Sequence, residues 1–123
     1  MSRLSHTFGC GSLMLAGTLD TAPGRTGLLI VSGGNEIRAG AFGGQADMAA
    51  CIARAGFPVF RFDRRGVGDS EGENRGFRSS AKDIACAIDA FRAMAPQVGR
   101  VVAFGNCDAA SALMLASGAG CDG

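Results

Sequence analysis

The stretch Val101–Leu115, "VVAFGNCDAASALML", carries an apolar run through a short polar turn into a second apolar segment and sets a thiol, Cys107, at the turn. A continuous apolar run of four residues reads as a strand covered on both faces. Ala109 to Ala116 is rich in residues that favour helix. Gly105 and Ala109 stand two residues before and two after Cys107. Small neighbours at those positions are what a nucleophile on a cramped strand-to-helix bend requires.

Outward from this bend, the same strand-then-helix pattern recurs. Thr7–Cys10 and Leu13–Leu19 flank Gly11-Ser12 and read as an antiparallel hairpin. Gly27–Val31, "GLLIV", is a second continuous apolar run and stops at Ser32-Gly33-Gly34. Gln45–Ala55 places Met48, Ala49, Ile52 and Ala55 at helical spacing, and Gly56 closes the segment as a C-terminal cap would. Pro58–Phe62 is the next strand. A charged loop, "DRRGVGDSEGENRGF", follows from Asp63, and a helix begins at Ser79 or Ser80 with Ser80-x-x-Asp83 as its capping box. Ile84, Ala85, Ile88, Phe91 and Ala95 make its apolar stripe, with Lys82, Asp83, Asp89 and Arg92 expected to face water.

Strands alternating with helices predict an α/β fold: a mostly parallel sheet with an N-terminal hairpin and helices on both faces. Residues 1–123 are expected to form one domain. Ligands in such sheets sit beyond the carboxyl ends of the strands, here the loops at 32–40, 63–77 and 105–109.

Composition narrows the function classes. Twelve basic and eleven acidic residues are spread along the chain for a net charge of +1, which excludes a basic stripe for nucleic acid. No run approaches the ~20 apolar residues of a membrane span. The start, Met-Ser-Arg-Leu-Ser-His, lacks an export signal, so a cytoplasmic location is expected. The five cysteines (Cys10, Cys51, Cys86, Cys107, Cys121) form no C-x-x-C pair, and His6 is the single histidine, so no metal and no cofactor are expected. Cys51 and Cys86 fall within apolar helical patterns and read as small buried hydrophobes.

A nucleotide-binding oxidoreductase is the first alternative, since "LLIVSGGNEIRAG" opens like a dinucleotide loop and Asp63 ends the next strand where a ribose-binding acid would lie. The glycine fingerprint fails, however, because Ile37 and Ala39 occupy positions where glycine is needed. Cys107 carries a different chemistry. The helix N-terminus behind it favours a thiolate, and the Asp108 backbone N–H is placed for an oxyanion. Gly34 or Asn35, in the loop after Val31, is the candidate for the second oxyanion N–H.

These residues carry a resemblance. "FDRRGVGDSEG" (Phe62 to Gly72) resembles the Asp-x-Arg-Gly-x-Gly-x-Ser loop of alpha/beta-hydrolases. "GLLIVSGGNEIRAG", "PVFRFDRRGVGDSEGEN" and "FGNCDAASALML" together resemble the first type of exosortase A system-associated hydrolase, bacterial proteins found beside exopolysaccharide and protein-sorting genes. The resemblance spans nearly the whole chain and implies an alpha/beta-hydrolase-like fold acting on a small-molecule ester or thioester. Within the loop, Asp63, Arg64, Arg65 and Asp69 are expected to form loop-holding pairs of little energetic weight, and Glu36 and Arg38 to line the site toward a substrate.

An elbow nucleophile in this fold is followed along the chain by an acid and a histidine base. The segment 108–123 contains no histidine, and His6 belongs to the first strand. The expectation is an N-terminal portion of a longer hydrolase, truncated after the elbow helix, that is inactive alone. The competing expectation, of another class, is a non-catalytic remnant or binding domain of the same fold.

Overall fold

The computed structural model describes residues 2–31, 37–38, 43–65, 70, 72 and 80–105. Its elements run β1 (Arg3–Cys10), β2 (Leu13–Asp20), β3 (Thr26–Val31), α1 (Gly44–Arg54), β4 (Val59–Phe62), α2 (Ser80–Met94) and β5 (Arg100–Gly105). The five strands form one sheet in the order β1-β2-β4-β3-β5. The hairpin pairs antiparallel, with Cys10 opposite Leu13, and β2 joins β4 antiparallel. β3 pairs in parallel with β4 on one side and β5 on the other.

Local chemistry accounts for these elements. Gly11 turns the hairpin at φ 61, a left-handed angle that two-residue hairpin turns need and that glycine adopts without steric cost. β1 begins four residues earlier than the apolar pattern of Thr7–Cys10 indicates, because Arg3 to His6 are exposed and pair with β2 through their backbones. Polar side chains suit such an outer strand. Gly56, at φ 106, ends α1 just after its cap residue Ala55.

The pleat of β3 and β4 divides the core between the two faces. On one face Leu29, Val31, Phe60 and Phe62 pack with Phe8, Leu15 and Leu19 against Ile84, Ala87, Ile88 and Phe91 of α2. Phe60 stacks on Phe91 with ring centroids 5.7 Å apart, and Phe8 meets Phe60 and Phe62 at 5.7 and 6.1 Å. On the other face Ile30 and Val59 pack against Ala49, Met48 and Ile52 of α1. The helices thus cover opposite faces, as the alternation predicts. The segment 109–116, expected to be a third helix, lies outside the described residues. β5 stands at the end of the sheet order, with Val101 fully buried and Phe104 exposed.

Three readings of single residues are corrected. Asp83 does not face water: it is fully buried, and its carboxylate accepts hydrogen bonds from Arg65, while the side chain of Ser80, its expected capping-box partner, lies outside the described residues. Cys51 is exposed on α1, because the buried stripe of that helix runs through Ala49 and Ala53. Cys86 is not a solitary hydrophobe, since it forms a disulfide with Cys10 across a Cα–Cα distance of 5.6 Å.

Candidate functional site at the carboxyl edge of the parallel strands

β3, β4 and β5 point the same way, so their carboxyl ends share one edge of the sheet. In the pairing of β3 with β5, Val31 stands opposite Gly105. The chain leaves the sheet at both points side by side. Val31 precedes Gly34 by three residues, and Gly105 precedes Cys107 by two. Cys107, Asp108, Gly34 and Asn35 themselves lie outside the described residues, as do Glu36 and Asp69.

Next along this edge, Asp63 follows β4 directly and is fully buried. One carboxylate oxygen accepts the Arg38 backbone N–H at 2.7 Å, and the other accepts Arg38 Nη1 at 2.5 Å. Arg38 Nε donates to Thr18 Oγ1 at 2.8 Å, and the Arg38 carbonyl accepts Arg61 Nη1 at 2.8 Å. A charge-assisted pair removed from water has a defined geometry that an exposed pair lacks. The loop after β3 is therefore tied at Arg38 to the ends of β2 and β4.

The loop after β4 is held at three points. Asp63 N–H donates to the Ala16 carbonyl at 2.9 Å. The Ser70 hydroxyl donates to the Asp63 carbonyl at 2.5 Å and accepts the Ala16 N–H at 2.8 Å. Arg65 reaches Asp83 in the first turn of α2, with Nη2 and Nε 2.6 and 2.8 Å from Oδ1 and its backbone N–H 3.0 Å from Oδ2. Asp83 holds the Arg65 guanidinium above its ordinary proton affinity, chiefly through this side-chain hydrogen bond. Burial acts in the opposite direction on Arg61, drawing its pKa down. Its Nε is buried without a hydrogen-bond partner among the described residues.

The expectation that Asp63 and Arg65 hold the loop agrees with these bonds. The expectation that their pairs are exposed does not, since the carboxylate side chains of Asp63 and Asp83 are 1% and 0% exposed. Arg38, expected to meet a substrate, instead turns inward to Asp63 and Thr18. With both oxygens engaged by Arg38, Asp63 offers no free carboxylate to a ribose, which counts against the dinucleotide alternative. Thr18 was not legible as part of this edge: it lies in a mostly apolar strand, and only the pairing of β2 with β4 sets it opposite Arg61. His6 is exposed on β1, the outer strand at the opposite end of the sheet order from β5.

Among the described residues no cluster of three His, Cys, Asp or Glu side chains could hold a metal ion. Among the same residues no helix is long and apolar enough to cross a membrane.

No family model matches the sequence, and no curated protein matches it. Solved structures do match. The alpha/beta hydrolase GrgF from Penicillium sp. sh18 is 26% identical with a TM-score of 0.79, over 95% of this chain and 42% of that one. Est1E from Butyrivibrio proteoclasticus, solved with ferulic acid bound, is 18% identical at a TM-score of 0.73, over 91% of this chain and 46% of that one. The Pyrococcus furiosus esterase Pf2001 is 16% identical at a TM-score of 0.70, over 85% and 41%. The fold of this chain is that of the α/β-hydrolases, and the chain spans less than half the length of these structures.

Proposed function

We propose that this α/β-hydrolase-fold chain is the N-terminal part of a hydrolase that cleaves an ester or thioester by acyl transfer to Cys107. Residues 1–123 form a single domain in this reading. The observation that carries it is the register of β3 with β5, which brings the chain out beside itself at Val31 and Gly105. The segments that carry Gly34 and Asn35 and that carry Cys107 and Asp108 thereby follow from neighbouring points on one edge. An acyl-transfer site needs such a juxtaposition: a nucleophile, and backbone donors close enough to receive the oxyanion that forms from the attacked carbonyl.

In the reaction, the Cys107 thiolate attacks the carbonyl carbon and the C–O or C–S bond to the leaving group breaks. The N–H groups of Asp108 and of Gly34 or Asn35 stabilise the tetrahedral oxyanion. The ties at Arg38 and Arg65 hold the flanking loops, so that donors are placed before the charge develops. Water then releases the acid from the thioester. A histidine base and its acid partner come from sequence outside these 123 residues. The motif resemblance supports a bacterial enzyme associated with the exosortase and exopolysaccharide system, with a small-molecule substrate, and a cytoplasmic location belongs to the same proposal. The hydrolase and esterase neighbours support the reaction class.

A binding domain of the same fold is the competing reading, and the position of His6 favours it. The single histidine of the chain stands on β1, with β2, β4 and β3 between it and β5.

Labelling of the full-length protein by a thiol-reactive aryl ester, read by peptide mass mapping, tests the proposal. Cys107 is expected to acylate at least about tenfold faster than the exposed Cys51. Equal rates overturn an activated thiol. Steady turnover of the ester by this chain is expected to match a Cys107→Ala control, and turnover clearly above it would show that the base lies within the 123 residues.

A further inference from the structure

Cys10 and Cys86 serve neither the proposed acylation nor the apolar core alone. Cys10 is the last residue of β1 and is 2% exposed, whereas Cys86, in the second turn of α2, is half-buried. Their Cα–Cα distance of 5.6 Å lies within the range that a disulfide spans without backbone movement. The surroundings of Cys10 also suit a free thiol. Its Sγ is 3.5 Å from the Lys82 carbonyl oxygen and 3.8 Å from Asp83 Oδ1. A reduced Cys10 therefore has acceptors for its S–H and is not left as an unsatisfied buried donor.

We propose that Cys10 and Cys86 form a reversible thiol–disulfide couple that exchanges with small thiols and disulfides and sets the grip of Asp83 on Arg65. The reading is independent of any role for Cys107. Exchange enters at Cys86, the accessible sulfur. Its thiolate attacks a small disulfide such as oxidised glutathione, releasing one small thiol and leaving a mixed disulfide. The Cys10 thiolate then attacks Cys86 Sγ, releasing the second small thiol. Two protein thiols are oxidised and one small disulfide is reduced, so atoms and electrons balance.

The consequence passes through a single oxygen. Asp83 Oδ1 accepts both Arg65 Nη2 and Arg65 Nε, and it also faces Cys10 Sγ. In the reduced state the S–H competes with Arg65 for that oxygen. In the oxidised state the competitor is gone, and a covalent bond one turn further along α2 fixes Asp83 against the hairpin. Oxidation thus tightens the anchor of the loop that follows β4. In a reducing compartment, a disulfide of this kind is characteristically transient and redox-sensing.

The test uses the full chain with Cys51→Ala, Cys107→Ala and Cys121→Ala, which leaves Cys10 and Cys86 as its two cysteines, equilibrated natively with oxidised or reduced glutathione. Differential alkylation and mass mapping are expected to show Cys10 crosslinked to Cys86 in the first case and both free in the second, with an unchanged circular dichroism spectrum. Hydrogen exchange at the Arg65 amide, which donates to Asp83 Oδ2, is expected to be at least about tenfold slower in the oxidised chain. Cys86→Ser is expected to abolish the crosslink and to hold Arg65 exchange at the reduced rate. A chain that stays reduced in oxidised glutathione, or that opens only after denaturation, overturns the reversible couple. Equal Arg65 exchange in the two states overturns the coupling to the loop.

Discussion

The two helices cover the same sheet from opposite sides and do so with different chemistry. α2 meets large side chains, packing its own Phe91 into a contiguous set with Phe8, Phe60 and Phe62, and is further fastened by Cys86 to Cys10 and by Asp83 to Arg65. α1 meets a small cluster of Ile30 and Val59 through Ala49, Met48 and Ile52. The sheet on the α1 side also carries the buried guanidinium of Arg61, whose Nη1 supports the Arg38 carbonyl. Apolar burial contributes free energy in proportion to area, so the α2 side supplies most of the stability. On the α1 side, polar bonds place the loop between β3 and α1, which in the proposed enzyme holds an oxyanion donor. Stability and site geometry are thus largely assigned to opposite faces.

Phe91→Ala probes this asymmetry with the largest expected effect. It removes a fully buried ring stacked on Phe60 and is expected to cost about 4 kcal/mol in denaturant unfolding. A loss below about 2 kcal/mol would show that the α2 face is not the dominant core. Asp83→Asn is expected to cost less, about 2 kcal/mol, since it keeps the shape but withdraws the charge that Arg65 meets, and Arg65 retains some contact with water. Its signature is faster exchange at the Arg65 amide, so lost stability without that change would break the link from α2 to the loop. Ile52→Ala on α1 is expected to cost about 1 kcal/mol, below the usual range for fully buried isoleucine because Ile52 is only half-buried. A cost equal to that of Phe91→Ala would erase the difference between the faces.

Much of the fold was legible in the chain itself. "GLLIV" and "VVAF" are uninterrupted apolar runs, and such runs imply strands covered on both sides, which β3 and β5 are in part: Val101 is buried while Phe104, toward the outer end, is exposed. Of the expected stripe, Ile84, Ile88 and Phe91 on α2 and Ala95 just beyond it are buried in the core, while Ala85 is only half-buried. Asp83 was misread because periodicity assigns a face to a residue but says nothing about a partner 18 positions upstream; beside Ile84 it lies on the margin of the apolar stripe, and Arg65 draws it inward. Arg38 was misread for the same reason, its partners Thr18 and Asp63 being brought to it by β2 and β4. The Cys10–Cys86 link spans 76 positions, a separation at which spacing carries no pairing signal.

Periodicity and punctuation depend on neighbours a few residues apart, so the amino-acid order alone determined the alternation of strands and helices, the hairpin turn and the side of α2 that is buried. Which strands lie beside which, and therefore that Val31 emerges next to Gly105, that Asp63 binds Arg38, and that two distant cysteines meet, was decided only when the sheet closed. Those contacts join segments far apart in the chain, and their energies exist only once packing has brought the segments together.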